Sequence, residues 1–168
     1  MSLGQAEFNQ LVAEHSDALY RTAYRLMGDA HDAEDVVQET FRSVWKSRER
    51  YESDRGDRAW LLSILRRRAV DRWRRRDSTE RTGGDELSLL SVRGSDPTDE
   101  QYTDEVQAAL EKLHDDLRET LLLVVVGELT HQEAADLLDV PIGTVLSRVS
   151  RARRRLRELL QDSQKHTV

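Results

Sequence analysis

Apolar side chains recur at helical spacing along most of the 168-residue chain. Phe8, Leu11, Val12, Leu19, Ala23 and Leu26 make one stripe over residues 5–26, which Gly28-Asp29 stops. A second stripe, Ala33, Val36, Val37, Phe41, Val44 and Trp45, predicts an inward face for a helix from about Ala30 to Ser47. Residues 48–57 carry Ser, Asp and Gly and suit a loop. Trp60, Leu61, Ile64, Leu65 and Ala69 then predict a third helix from about Arg58 to Arg76. Periodicity fails over residues 77–97, where Gly83-Gly84, scattered serines and Pro97 read as a linker, although Leu87, Leu89, Leu90 and Val92 are more apolar than a solvated linker requires. The pattern restarts at about Thr98. Val106, Ala109, Leu110 and Leu113 mark one helix, Leu117 and Leu121–Val126 another, and Gly127-Glu128-Leu129 a turn. Short and long helices at 131–138 and 142–160 complete the chain. The expected fold is all-α, with two small helical domains (1–76 and 98–168) joined by a flexible acidic linker (77–97).

Composition fits this picture. Helix formers dominate, and β-branched runs are scarce outside Val124–Val126. There is no cysteine, which excludes disulfides and thiolate metal sites. The N-terminal residues have neither a basic run nor an apolar core, so no signal peptide is expected. The longest apolar run, Leu121–Val126, is far short of a membrane span. A soluble cytoplasmic chain is expected. Its net charge of −6 conceals strong segregation. Seven of the eleven residues 66–76 are arginine, residues 148–168 are also basic, and the stretch between them is acidic. Two segregated basic segments point to a polyanionic partner.

The last two helices have helix-turn-helix spacing. Thr130 and Glu133 fit a capping box, small Ala135 allows close approach, Asp139 occupies a turn position that favours positive φ, and Pro141 precedes the second helix. Val140 and Val145 are placed to fill the space between the helices. In such a motif the second helix enters the major groove. Thr144, Ser147, Arg148 and Arg151 then face base edges, and Arg153, Arg154, Arg155 and Arg157 reach phosphates. In the first half, Trp73 lies among the arginines of 66–76 and Tyr51 in the preceding loop. Interleaved basic and aromatic residues suit unpaired bases, which stack on rings. Trp45 and Trp60 fall on apolar stripes and are expected in the core, whereas Trp73 is off-phase and fits either role.

Ala33-Glu34-Asp35-Val36-Val37-Gln38-Glu39-Thr40-Phe41, Arg58-Ala59-Trp60-Leu61-Leu62 and Ala69-Val70-Asp71-Arg72 resemble region 2 of the extracytoplasmic-function group of bacterial σ factors. Thr130 to Leu160, with Pro141-Ile142-Gly143-Thr144-Val145 and Ser147-Arg148, resembles region 4 of the same group. The resemblance implies that the first domain binds core RNA polymerase and the promoter −10 element, and the second the −35 element. It implies that Asp35, Gln38 and Glu39 dock on the β′ clamp helices. It further implies that the Tyr51–Asp57 loop captures a flipped base and that Tyr51, Arg66, Arg67, Asp71, Trp73, Arg74 and Arg75 meet the −10 element. Thr144, Ser147, Arg148, Arg151, Arg154 and Arg155 are the −35 candidates. An anti-σ factor is an implied partner, with Leu87, Leu89 and Leu90 as a docking point for it or for polymerase.

Four positions depart from the family pattern. Arg67 stands where Asn is common, Asp139 replaces a turn glycine, and Trp73 replaces a usual Leu. Leu146 replaces a Lys or Arg, which either removes a −35 contact or turns it toward a thymine methyl. Two other classes remain. A helix-turn-helix regulator that does not join polymerase would use residues 130–160 alike but leave 30–76 unexplained. An enzyme is disfavoured: His15, His31, His114, His131 and His166 are scattered without metal-ligand spacing, and Asp32, Glu34 and Asp35 read as solvated acids on one helix. Neither a metal nor a cofactor is expected.

Overall fold

The computed structural model describes residues 2–52, 56–81 and 104–166. The chain divides into two compact units, residues 1–95 and 96–168. The first holds α1 (Gln5–Met27), α2 (Ala30–Lys46), a 3₁₀ turn (Arg48–Arg50) and α3 (Asp57–Arg81). The second holds α4 (Asp104–Glu111), α5 (Asp115–Val125), α6 (His131–Leu138) and α7 (Ile142–Lys165). No described residue lies in a strand.

In the first unit each helix packs on the other two. Gly28 ends α1 in the left-handed region (φ 72°) and returns its N–H to the Tyr24 carbonyl at 2.7 Å. Asp29 then caps α2, accepting from the His31 and Asp32 amides at 2.7 and 3.1 Å. Two residues thus turn the chain back on itself. The core is drawn from Leu11, Leu19, Ala23 and Leu26 of α1, Ala33, Val36 and Val44 of α2, and Leu61, Leu62, Ile64, Leu65 and Ala69 of α3. Ahead of α1, Leu3 is buried, and its N–H donates to the Arg48 carbonyl at 3.0 Å.

Three expectations change. On α2 the buried face is Ala33, Val36, Thr40 and Val44. That rotation leaves Val37, Phe41 and Trp45 half-buried, beside Phe8 of α1. Phe8 meets Phe41 and Trp45 edge-on at centroid distances of 6.3 and 5.1 Å. Trp60 is likewise half-buried at the start of α3 rather than in the core. Finally, α3 runs to Arg81, so residues 77–81 of the expected linker are helical, with no glycine or proline to stop them. The linker leucines lie outside the described residues. Thr22 and Thr40 are fully buried, and their hydroxyls donate to the carbonyls of Ala18 (2.9 Å) and Val36 (2.7 Å). A back-bonded threonine is an apolar surface with its polar atom satisfied.

In the second unit α7 packs on α4, α5 and α6. Val145, Val149 and Ala152 of α7 are buried with Ala109, Leu110, Leu121, Leu122, Leu123, Ala134 and Ala135. The turn after α5 places Glu128 in the left-handed region (φ 57°) and closes with Leu129 N–H to the Leu123 carbonyl at 3.1 Å. The Thr130–Glu133 capping box is present in both directions, at 3.1 and 3.0 Å. Asp139 adopts φ 55°, and Val140 N–H reaches the Ala135 carbonyl at 3.1 Å. Val145 is fully buried, as a residue between the two helices requires, whereas Val140 is only half-buried.

Candidate nucleic-acid interface

A cleft of about 490 Å³ opens between the C-terminal turns of α2 and the first half of α3. Its wall carries Lys46, Arg50, Arg67 and Arg68, the hydroxyls of Ser43 and Ser47, the Trp60 ring and the Asp71 carboxylate. Arg68 spans it, donating to Ser43 Oγ from Nη2 at 2.7 Å and from Nε at 3.2 Å. The Trp60 and Tyr51 rings meet at a centroid distance of 5.3 Å with a 52° tilt. Tyr51 Oη donates to Asp57 Oδ1 at 2.6 Å and so ties together the two ends of the loop before α3. That bond and, after it, burial push the Tyr51 phenol up to about 12. Residues 53–55 of this loop lie outside the described residues.

The −10 candidates therefore separate. Arg67 and Asp71 line the cleft, and Tyr51 backs its aromatic wall. Arg74 and Arg75 are exposed one turn further along α3, while Arg66 and Trp73 are half-buried and do not line the cleft. The arginines of 66–76 do not all face solvent. Arg72 turns to α2 and donates to Asp32 at 2.7 Å and Asp35 at 3.0 Å, with Glu39 at 3.6 Å. Arg76 pairs with the other oxygen of Asp32. Two of the polymerase candidates, Asp35 and Glu39, thus belong to this clasp. Gln38 faces away, onto the shallow apolar groove lined by Phe8, Phe41 and Trp45. Sequence reading missed the clasp and the Ser43–Arg68 bridge. The sequence spacing puts acids 32, 35 and 39 on one stripe and arginines 68, 72 and 76 on another, but it does not show that the two stripes meet.

On α7, Ser147, Arg151, Arg153, Arg154, Arg155 and Arg157 are exposed. Thr144 is half-buried. Arg148 is turned back toward α5, 3.9 Å from Asp116 with its side chain 20% exposed. Arg155 lies 3.2 Å from Glu158. Between Val140 and Arg157 there is no acidic residue. Ile142 and Leu146 are exposed apolar side chains on the same helix. A Cβ built on Gly143 meets nothing within 4 Å. Among the described residues no cluster of His, Cys, Asp and Glu is arranged to hold a metal ion, and no helix is long and apolar enough to cross a membrane.

Comparison with known proteins places these features. Residues 11–79 match the family model of Sigma-70 region 2, and residues 103–156 match that of Sigma-70 region 4. The ECF RNA polymerase sigma factor SigE of Mycolicibacterium smegmatis is 36% identical over 96% of this chain, which spans 64% of that protein's length. The RNA polymerase sigma factor CnrH of Cupriavidus metallidurans is 34% identical over 96% of this chain and 91% of its own. The crystal structure of the sigma factor RpoE with the anti-sigma factor NepR from Bartonella quintana superposes with a TM-score of 0.78. It covers 92% of this chain and 97% of the matched one at 31% identity. With both regions present, in order and over nearly its whole length, the chain belongs to the ECF group of the sigma-70 family, the alternative σ factors that direct promoter-specific transcription initiation.

Proposed function

We propose that residues 1–76 join core RNA polymerase and hold the −10 element, that residues 98–168 hold the −35 element, and that 77–97 link them. The observation that carries this is the basic, aromatic-walled cleft of the first unit. Four cationic side chains, two hydroxyls and the Tyr51–Trp60 ring pair suit a phosphodiester strand with an unpaired base. Duplex DNA would need no ring. Arg67 and Asp71 inside the cleft are the base-reading candidates, Arg74 and Arg75 the phosphate contacts. On α7, Ser147, Arg151, Arg154 and Arg155 meet the −35 duplex with Thr144 at the edge, and Arg148 does so after leaving Asp116.

Energetics assign the labour. Opening about a dozen base pairs forfeits stacking of roughly 1.4 kcal/mol per step, on the order of 15 kcal/mol. A captured base returns only a few kcal/mol. The free protein therefore does not melt DNA; it nucleates melting within the holoenzyme. Asp35, Gln38 and Glu39 of α2 are the proposed polymerase contacts, Gln38 from the groove side and the two acids by sharing themselves between Arg72 and a basic partner. An anti-σ factor is the proposed regulator, as NepR is bound to RpoE in the solved complex. The protein acts by binding and catalyses no reaction itself, in the cytoplasm where the polymerase resides.

The test is reconstitution with core polymerase. The chain should co-purify with the core and initiate at promoters identified by mapping RNA 5′ ends after overexpression. Specific duplex binding with neither co-purification nor transcription would instead establish a regulator that acts apart from polymerase.

A further inference from the structure

Among the described residues three large apolar side chains are exposed: Val125, Ile142 and Leu146. Two of these stand one turn apart on the first two turns of α7, at 43% and 49% exposure. Neither is needed by the fold, because the inward stripe of α7 is Val145, Val149 and Ala152. Their neighbours on the exposed surface are Gly143, Ser147, Ser150 and Arg151. This end of the helix is therefore apolar on one flank and cationic on the other, with only small side chains between. No acidic group from Val140 to Arg157 opposes a polyanion. A protein-docking face of this size would be expected to carry its apolar residues centrally. Here they flank a run of arginines, which commits the surface to nucleic acid.

Resting on the reading of α7 as the −35 helix, we infer that Leu146 and Ile142 read thymine 5-methyl groups in the −35 element. The methyl is the one apolar feature on the major-groove base edges. Helix residues in the first two turns are those that reach base edges. Gly143, whose missing Cβ has open space around it, lets the helix seat deeply enough for the shorter apolar chains to arrive. Leu146 then acts as a specificity determinant, selecting thymine by burying its methyl.

The test uses the full chain assembled with core polymerase. A duplex library with ten randomised base pairs at the −35 position is selected for binding. The best duplex is then remade with deoxyuridine at each thymine in turn, which removes only the methyl. Wild type should lose about fourfold affinity at one or two positions, the worth of one buried carbon. Leu146→Ala, at an exposed position, should fold normally and bind the thymine and uracil duplexes equally. Ile142→Ala should do so at a neighbouring position. Equal binding of thymine and uracil by wild type everywhere, or discrimination retained in Leu146→Ala, overturns the inference while leaving −35 binding intact. The same result with unchanged affinity in Leu146→Ala assigns the flank to a protein partner. Failure to enrich any duplex overturns the −35 reading and the inference together, and is distinguishable because no sequence then emerges.

Discussion

Arg72→Met tests the clasp that joins α3 to α2. Methionine keeps most of the aliphatic stem and deletes the charge. The guanidinium is 21% exposed and its closest carboxylate, Asp32, 16%, with Asp35 at 34%. Breaking a fully buried pair costs about 3–5 kcal/mol, whereas an exposed one is worth about 0–1 kcal/mol. The intermediate exposure puts this case at about 2 kcal/mol, with Asp35 and Glu39 losing their Arg72 contact while Asp32 keeps Arg76. With a urea slope of about 1–2 kcal/mol/M for a unit this small, the midpoint should fall by about 1–2 M. All three tryptophans, Trp45, Trp60 and Trp73, lie in the first unit. Tryptophan fluorescence of the full chain therefore reports that unit alone. Asp32→Asn combined with Arg72→Met should be less than additive, with a coupling of about 1 kcal/mol. A midpoint shift below about 0.3 M, or strict additivity, would show that the clasp contributes nothing.

Three further outcomes are expected. The Tyr51 phenol is raised to about 12 in the folded state against an unfolded value of 10, so its contribution is complete below pH 10 and is lost as pH rises through 12. Alkaline unfolding of the first unit should steepen over that window, and Tyr51→Phe should flatten it; a late-titrating tyrosinate seen near 295 nm in the Phe variant would reassign the group. Gly143→Ala should raise the thermal stability of the second unit by about 0.5 kcal/mol, since the added Cβ is unopposed and glycine is unfavourable in a helix, while weakening −35 duplex binding; a gain in both properties would remove the close approach. Arg74→Ala should lower the salt slope of promoter binding by about one for all sequences alike. Arg76→Ala should instead act mainly on stability, because that side chain is committed to Asp32; equal salt slopes for the two variants would contradict the division.

The second unit was legible because its signals are local. Thr130, Glu133, Asp139 and Pro141 each specify backbone within a few residues, and α6 and α7 start where those residues place them. The first unit depends more on topology. Arg72 and Asp32 are forty residues apart, and nothing near either marks the other. Only the α2–α3 packing brings Asp32, Asp35 and Glu39 onto Arg72 and Arg76, and so separates arginines that brace the fold from those that face outward. Thr22 and Thr40 were hidden because their type is polar while their hydroxyls are satisfied within their own helices. Trp45 and Trp60 were read as core because they border apolar stripes. In the fold they form the rims of a groove and a cleft, where a large ring can be half-covered.

Leu3 bears on how such proteins are cut and recombined. The region 2 match begins at residue 11, six residues inside α1, yet the chain ahead of it is part of the folded unit. Leu3 is 2% exposed, and its amide closes on the Arg48 carbonyl, in the turn just ahead of Tyr51. A chimera spliced at the family boundary would discard this peg together with Phe8, the ring that meets Phe41 and Trp45. Such a hybrid would keep every proposed −10 contact of the first unit but lose the anchor on the Arg48–Arg50 turn. Hybrids that take the first unit of this chain should therefore be joined ahead of residue 3 rather than at residue 11.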